Sequence, residues 1–154
     1  MNAEDKLKEL GIELPPAPEK GGVYKPVVET GNIAYVSGHG PYQSDRTYIT
    51  GRVGEEFDLA GAQAAARQTG LALLATLRDH FGSLDRISRV IKTLALVNST
   101  SDFDQQPQVI NGCSELLGEV FGEENGIGAR SALGTSILPG NIPVEIELIV
   151  EFKN

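Results

Sequence analysis

Near the C-terminus the chain alternates without a break for nine residues. On an extended backbone Val144, Ile146, Leu148, Val150 and Phe152 fall on one side, and Glu145, Glu147, Ile149 and Glu151 on the other. A slip of one residue would turn five apolar side chains into water, so this register is strongly specified. The chain must therefore build a sheet with one buried face. The opposite side is too mixed for a dry core and unusual for free solvent. A subunit interface with embedded polar sites would account for it.

The rest of the pattern supplies what covers the buried face. Asp58 reads as the cap of a long helix from Leu59 to about Phe81, with Gly82 after it. Leu59, Ala62, Ala66, Leu73, Leu77 and Phe81 follow helical spacing, while Gln63, Arg67, Gln68 and Arg78 lie largely off that stripe. A second helix is expected from about Asp104, with Pro107 in its first turn, to Val120. Strands are expected at Val23 to Glu29 and Asn32 to Ser37, on either side of a Thr30-Gly31 turn, and more weakly at Tyr48 to Val53. Ile87 to Val97 and Arg130 to Ile137 complete the set with the last strand. The order ββ(β)αβαββ implies an α+β fold, one sheet with two helices on one face. Residues 1 to 22, a short helix capped by Asn2 and stopped by Gly11, then the stiff Leu14-Pro15-Pro16-Ala17-Pro18 connector, read as an extension crossing onto a single domain of residues 23–154.

At 154 residues there is enough chain for one core. A net charge of -8 argues against duplex-scale nucleic-acid binding, which relies on basic surface. The longest apolar block, Leu71 to Ala75, is far short of a membrane span. The charged start, Met1 to Lys8, lacks an apolar signal core, and the lone Cys113 fits a reducing compartment, so a cytoplasmic protein is expected.

Two charges stand out because they sit in apolar, strand-like sequence, where an unpaired charge is costly to bury. Arg130 lies in Gly128-Ala129-Arg130-Ser131-Ala132 and Glu145 is the second residue of the final strand. A guanidinium can hold a carboxylate through two parallel hydrogen bonds, and a carboxylate can orient a water or take its proton. Their plainer reading is a structural ion pair, or separate charges at the sheet's ends. In Tyr35-Val36-Ser37-Gly38-His39-Gly40, Gly38 would let a ligand approach the backbone and Ser37 offers a hydroxyl, against the simpler reading of a sharp turn. His39 reads as an exposed turn residue and His80 as a helix-terminus cation. Asn111-Gly112 weakens the second helix, a local conflict that marks a packing or functional requirement. Cys113 has no evident base and reads as a buried, inert thiol. There is no metal-ligand spacing, phosphate loop, dinucleotide glycine pattern or serine-hydrolase triad.

Taken in order, Tyr24, Val36-Ser37-Gly38, Asn111, Ala129-Arg130-Ser131, Leu138-Pro139 and Val144-Glu145-Ile146-Glu147 resemble the reactive-intermediate deaminase (Rid, or YjgF) family, also called the endoribonuclease L-PSP family. The resemblance runs from about Tyr24 to Phe152, with residues 1–22 looking like the extension of a longer subgroup. It implies a Bacillus chorismate mutase-like fold, a homotrimer with clefts between subunits, no cofactor and no metal. It implies hydrolysis of enamines and imines such as 2-aminoacrylate to 2-oxo acids and ammonia. Other members have been described as ribonucleases or translation inhibitors, and a non-catalytic binder of small carboxylates is a further reading. Carried over by position, Arg130 would bind the substrate carboxylate and Glu145 would position the attacking water. Tyr24, Ser37, Gly38 and Asn111 would line the cleft, with the Ala132 backbone also in contact. The chain departs from the family's pattern at Ala132, often Cys, at His39, often Gln, and at Gly128, where longer members are expected to carry His. The implied strand order puts another strand between those of Arg130 and Glu145. A direct hairpin, with Ile137 opposite Pro143, would instead place Arg130 opposite Val150. Neither unites the two charges, so one subunit's Arg130 and its neighbour's Glu145 are expected to share a cleft.

Overall fold

Both N-terminal helices begin and end where the sequence places their caps. A computed structural model describes all 154 residues. Asn2 Oδ1 accepts from Asp5 N at 2.8 Å to open α1 (Ala3–Leu10), and Gly11 closes it in the left-handed region. Asp58 Oδ1 accepts from Gly61 N at 2.8 Å to open α2 (Leu59–Phe81), and Gly82 closes it at φ 81°. The sheet contains β1 (Val27–Thr30), β2 (Ile33–His39), β3 (Ile87–Asn98), β4 (Ala129–Thr135) and β5 (Val144–Phe152). Helices α3 (Gln106–Phe121) and α4 (Glu123–Gly126) lie between β3 and β4.

The strand order is β1-β2-β5-β3-β4, antiparallel except for β3 and β4. The hairpin alternative is thus wrong. The chain leaves β3, crosses through α3 and returns parallel to it as β4, so Arg130 lies opposite Thr93. A parallel pair needs such a long crossover, and here a helix supplies it. The segment Leu138–Pro143 then carries the chain over β3, and β5 inserts between β2 and β3.

Two strand expectations need correction. Tyr48–Val53 is no strand: Tyr48 bridges only Tyr42, and Val53 only Phe57 and Ser99. Gly51, at φ 134°, breaks the extended run and directs its N–H to the Asn141 carbonyl. The first strand starts at Val27 because Pro26, just before it, has no N–H to give a ladder.

Val144, Ile146, Leu148 and Val150 are almost fully buried in one core with side chains of α2 and α3. The two helices touch closely at Gly112, where a Cβ would lie 2.1 Å from the Gln63 carbonyl oxygen. That contact accounts for the glycine in α3. Residues 1–22 join the same core, since Ala3 and Leu7 are buried in it. Glu4 fastens them: its carboxylate takes two hydrogen bonds from Arg78, at 3.1 and 2.7 Å, and one from Leu84 N at 2.9 Å.

Burial alone would raise the Glu4 pKa, but the Arg78 and Leu84 hydrogen bonds outweigh it and hold the carboxyl below its ordinary value. Its contribution is therefore present above the unfolded-state pKa of about 4.3 and is lost as pH falls through the lower folded value. Glu4→Ala is expected to cost about 1–2 kcal/mol at pH 7, with the gap to wild type narrowing by pH 3. Thermal melts at the two pH values check this.

Candidate functional site

The register divides the candidate residues between the two faces of the sheet. Arg130 pairs across with Thr93, and Thr93 with the buried Leu148, so Arg130 points to the helix-covered side. Glu145 pairs with Leu96 on the open side. The two positions are three residues apart along β3 and on opposite flanking strands, roughly 14 Å between Cα atoms. One copy of the chain cannot bring both to a small ligand.

On the helix side, Arg130 Nη1 donates to Asn111 Oδ1 at 2.8 Å and to Ser114 Oγ at 3.2 Å. Asn111 and Ser114 are i and i+3 on α3, neighbours on one helix face. That spacing is the signal that could have found Ser114. The guanidinium makes no ion pair with a carboxylate, so Arg130 is not half of a structural ion pair. Its Nε and Nη2 make no hydrogen bond, which leaves the Nε–Nη2 edge open to a bidentate partner. A cavity of about 450 Å³ adjoins it, walled also by Thr93, Glu115 and Gly128.

On the other side, Tyr24, Gly38 and Glu145 wall a cavity of about 370 Å³ with Glu19, Tyr48 and Ile142. Glu19 belongs to a segment with no strand or helix pattern, and Tyr48 to one read as a weak strand, so no periodicity pointed either of them at a site. β2 holds one extra residue against β5 between Val36 and His39, a β-bulge. The bulge presses Gly38 onto Glu145: a Cβ there would lie 3.0 Å from the carboxyl carbon and from Oε2. Glu145 is half-buried, and its pKa is raised first by desolvation and then by the Glu147 charge.

Ser37 does not line this cavity, because its hydroxyl donates to the Lys25 carbonyl at 2.6 Å and holds the strand entry. Ala132 reaches neither cavity and packs against the core. His39 is the clearest correction: it is buried, not an exposed bystander. Its Nδ1 lies 2.6 Å from the Ser37 carbonyl, an obligate acceptor, so Nδ1 carries the proton and Nε2 accepts from the Thr76 hydroxyl at 2.6 Å. Burial holds its pKa below the usual value and favours the neutral ring. Cys113 is fully buried, with its pKa pushed up to about 12 by desolvation, and is inert. No three His, Cys, Asp or Glu side chains gather to hold a metal ion, and no helix is long and apolar enough to cross a membrane.

A raised carboxyl pKa means the folded chain binds the proton more tightly than the unfolded one. Stability then falls as pH rises from the ordinary Glu range through the folded value. Glu145→Gln is expected to gain stability relative to wild type at pH 8 and to lose that advantage at pH 4, read from paired thermal melts.

Comparison with known proteins places these features in context. Residues 4–152 match the sequence profile of the family described as "YjgF/chorismate mutase-like, putative endoribonuclease". Protein TCP17 of Trypanosoma cruzi is 38% identical over 148 residues, 96% of this chain and 92% of that protein. The 2-iminobutanoate/2-iminopropanoate deaminase of Dermatophagoides farinae is 29% identical over 140 residues, 90% of this chain and 93% of that one. The crystal structure of Atu1372 from Agrobacterium tumefaciens, a protein of unknown function, superposes with a TM-score of 0.87 at 42% identity, covering 97% of this chain and 91% of that one.

Proposed function

The chain belongs to the YjgF/chorismate mutase-like family, and from that premise and the divided site we propose that it hydrolyses imines and enamines of small 2-amino acids to 2-oxo acids and ammonia. A relative named as an iminobutanoate and iminopropanoate deaminase supports the reaction class. The observation that carries the reading is the division itself: an Arg130 edge free for a carboxylate on one face, and a Glu145 of raised basicity on the other.

In this reading the Nε–Nη2 edge of Arg130 grips the substrate carboxylate while Asn111 and Ser114 fix the guanidinium from its Nη1 end. Glu145 accepts a proton from a water that adds to the imine carbon. An enamine enters as its imine tautomer. Solvent protonates the imine nitrogen during the addition. The carbinolamine collapses as Glu145 returns its proton to that nitrogen, the hydroxyl proton passes to solvent and the C–N bond breaks, releasing ammonia and the 2-oxo acid. Glu145 suits the first step, since desolvation raises its pKa and makes it a better proton acceptor than an ordinary carboxylate. An imine carbon is already electrophilic, so positioning supplies most of what is required.

The two halves meet when chains associate. Across the open face run Val28, Tyr35, Ile149 and Lys92, then Glu147, Leu94 and Ser131, then Glu145, Leu96 and Leu133. Val28, Tyr35 and Leu133 are about half exposed, at 49%, 50% and 54%, although large and apolar. We infer that this face is covered in a homotrimer, with Arg130 of one copy and Glu145 of the next in each cleft. Light scattering over a dilution series should give about three times the 16.4 kDa chain mass.

Coupling a pyridoxal-phosphate-dependent dehydratase to the protein and following 2-oxo acid release tests the activity. Arg130→Ala and Glu145→Gln are each expected to be nearly inactive. Mixed under subunit exchange they should regain roughly one active cleft in four, because each cleft draws one residue from each of two random chains. No recovery after verified exchange would remove the shared cleft. Turnover absent from the wild type, with 2-oxo acid still bound, would reduce the site to a carboxylate binder. Arg130→Lys keeps the charge but loses the fork, and kcat/KM for carboxylated substrates should fall at least about tenfold with little change in melting temperature.

A further inference from the structure

A third cavity, of about 590 Å³, lies apart from both halves of the site, at the carboxyl ends of the parallel pair β3 and β4. Its wall is mostly polar, with Phe103 its one hydrophobic member. Arg52 supplies a guanidinium and Thr100, Ser101 and Ser136 free hydroxyls, while the Ser99 and Thr135 hydroxyls and the Gln106 amide already donate to the Val97, Ile137 and Phe103 carbonyls and to Ser99 Oγ. No carboxylate lines it, although the chain has 21 acidic residues and each half of the divided site includes at least one. Asp102 and Asp104 belong to the same loop but not to the wall.

Arg52 is held in place without being used up. Nε donates to Asn98 Oδ1 at 3.3 Å and Nη2 to the Ser136 carbonyl at 2.6 Å. Nη1 meets only the half-exposed Glu55, at 3.7 Å, a pair too long and too wet to count for much. Protons on Nη1 and Nη2 therefore remain for a ligand. Gly134 keeps the floor low, since a Cβ there would lie 2.8 Å from Gln106 Nε2 and 3.2 Å from Ser99 Oγ. The 16-residue α3 begins at the rim, and Gln105 at its N-cap makes no capping hydrogen bond, so the partial positive charge of the helix end adds to that of Arg52. A strand, a loop and a crossover helix returning to a parallel strand is the arrangement in which anions settle at the strands' carboxyl end.

We propose that the Arg52 cavity at the β3–α3 crossover binds the phosphate group of a small phosphate monoester, at a site separate from Arg130 and Glu145. The size fits a metabolite and not only an ion, and the hydroxyls suit the polar body of such a molecule. The proposal is independent of imine hydrolysis, so an inactive preparation tests it equally well.

Inorganic phosphate titrated into the isotope-labelled full chain at constant ionic strength provides the test. The backbone amides of Ser99 to Gln106 and of Gly134 to Ser136 are expected to shift and saturate. Arg52→Gln should weaken the binding at least about tenfold while leaving imine hydrolysis unchanged. Ser101 is exposed and makes no side-chain hydrogen bond, so Ser101→Glu should fold normally and abolish saturation by repelling the anion. Dimethyl phosphate, the diester probe, should bind more weakly than phosphate. Shifts that are absent or confined to the surroundings of Arg130, an unchanged affinity in both variants, or tighter binding of the diester would each overturn the proposal.

Discussion

The placement of Glu145 depends on where β5 enters the sheet. Placed between β2 and β3, it has both ladders paired and cannot shift register without breaking two sets of backbone hydrogen bonds. Its buried side is fixed by Val144, Ile146, Leu148 and Val150, so its other side is fixed as well. Glu145 is held on the open face by the same constraint that builds the core. The crossover through α3 acts on Arg130 in the opposite sense, because it delivers β4 to the sheet edge with Arg130 facing the helices.

The final strand, the long helix with both of its caps and the sites of α1 and α3 were legible in the sequence because they rest on local rules; the short α4 was not expected. Alternation, helical spacing and cap chemistry involve residues a few positions apart. Pairing partners were not legible in that way. Whether β4 turned back onto β5 or lay beside β3 depended on which long-range ladder formed, and the intervening Leu138–Pro143 segment is compatible with both. Tyr48–Val53 had strand composition, yet Gly51 and the Asn141 carbonyl overrode it. His39 was misread for a related reason: the pattern suggested a turn after Ser37, whereas β2 continues through a bulge that folds the ring against α2.

The candidate residues also sorted themselves by chemistry in a way that sequence spacing could not show. Asn111 had drawn notice as a weak helix former, and its helix contains the reason twice over. Its side chain holds Arg130, and the adjacent Gly112 lets α2 approach to backbone contact. Ser37, expected to offer its hydroxyl to a ligand, instead secures the Lys25 carbonyl. It thereby fixes the start of the segment whose bulge sets Gly38 against Glu145.

The open face then presents an energetic question of its own. Half-exposed Val28, Tyr35 and Leu133 make it too apolar to be left in water without cost, while Glu145 and Glu147 are too close to each other to be buried cheaply as two charges. Covering the face removes the first difficulty and worsens the second, since desolvation raises the Glu145 pKa further. A cationic group brought near that carboxylate would relieve it. Arg130 has an unoccupied edge and no acidic partner within its own chain, and the association proposed above would supply that charge to the cleft. On this view, the feature that makes Glu145 unfavourable in an isolated chain favours assembly.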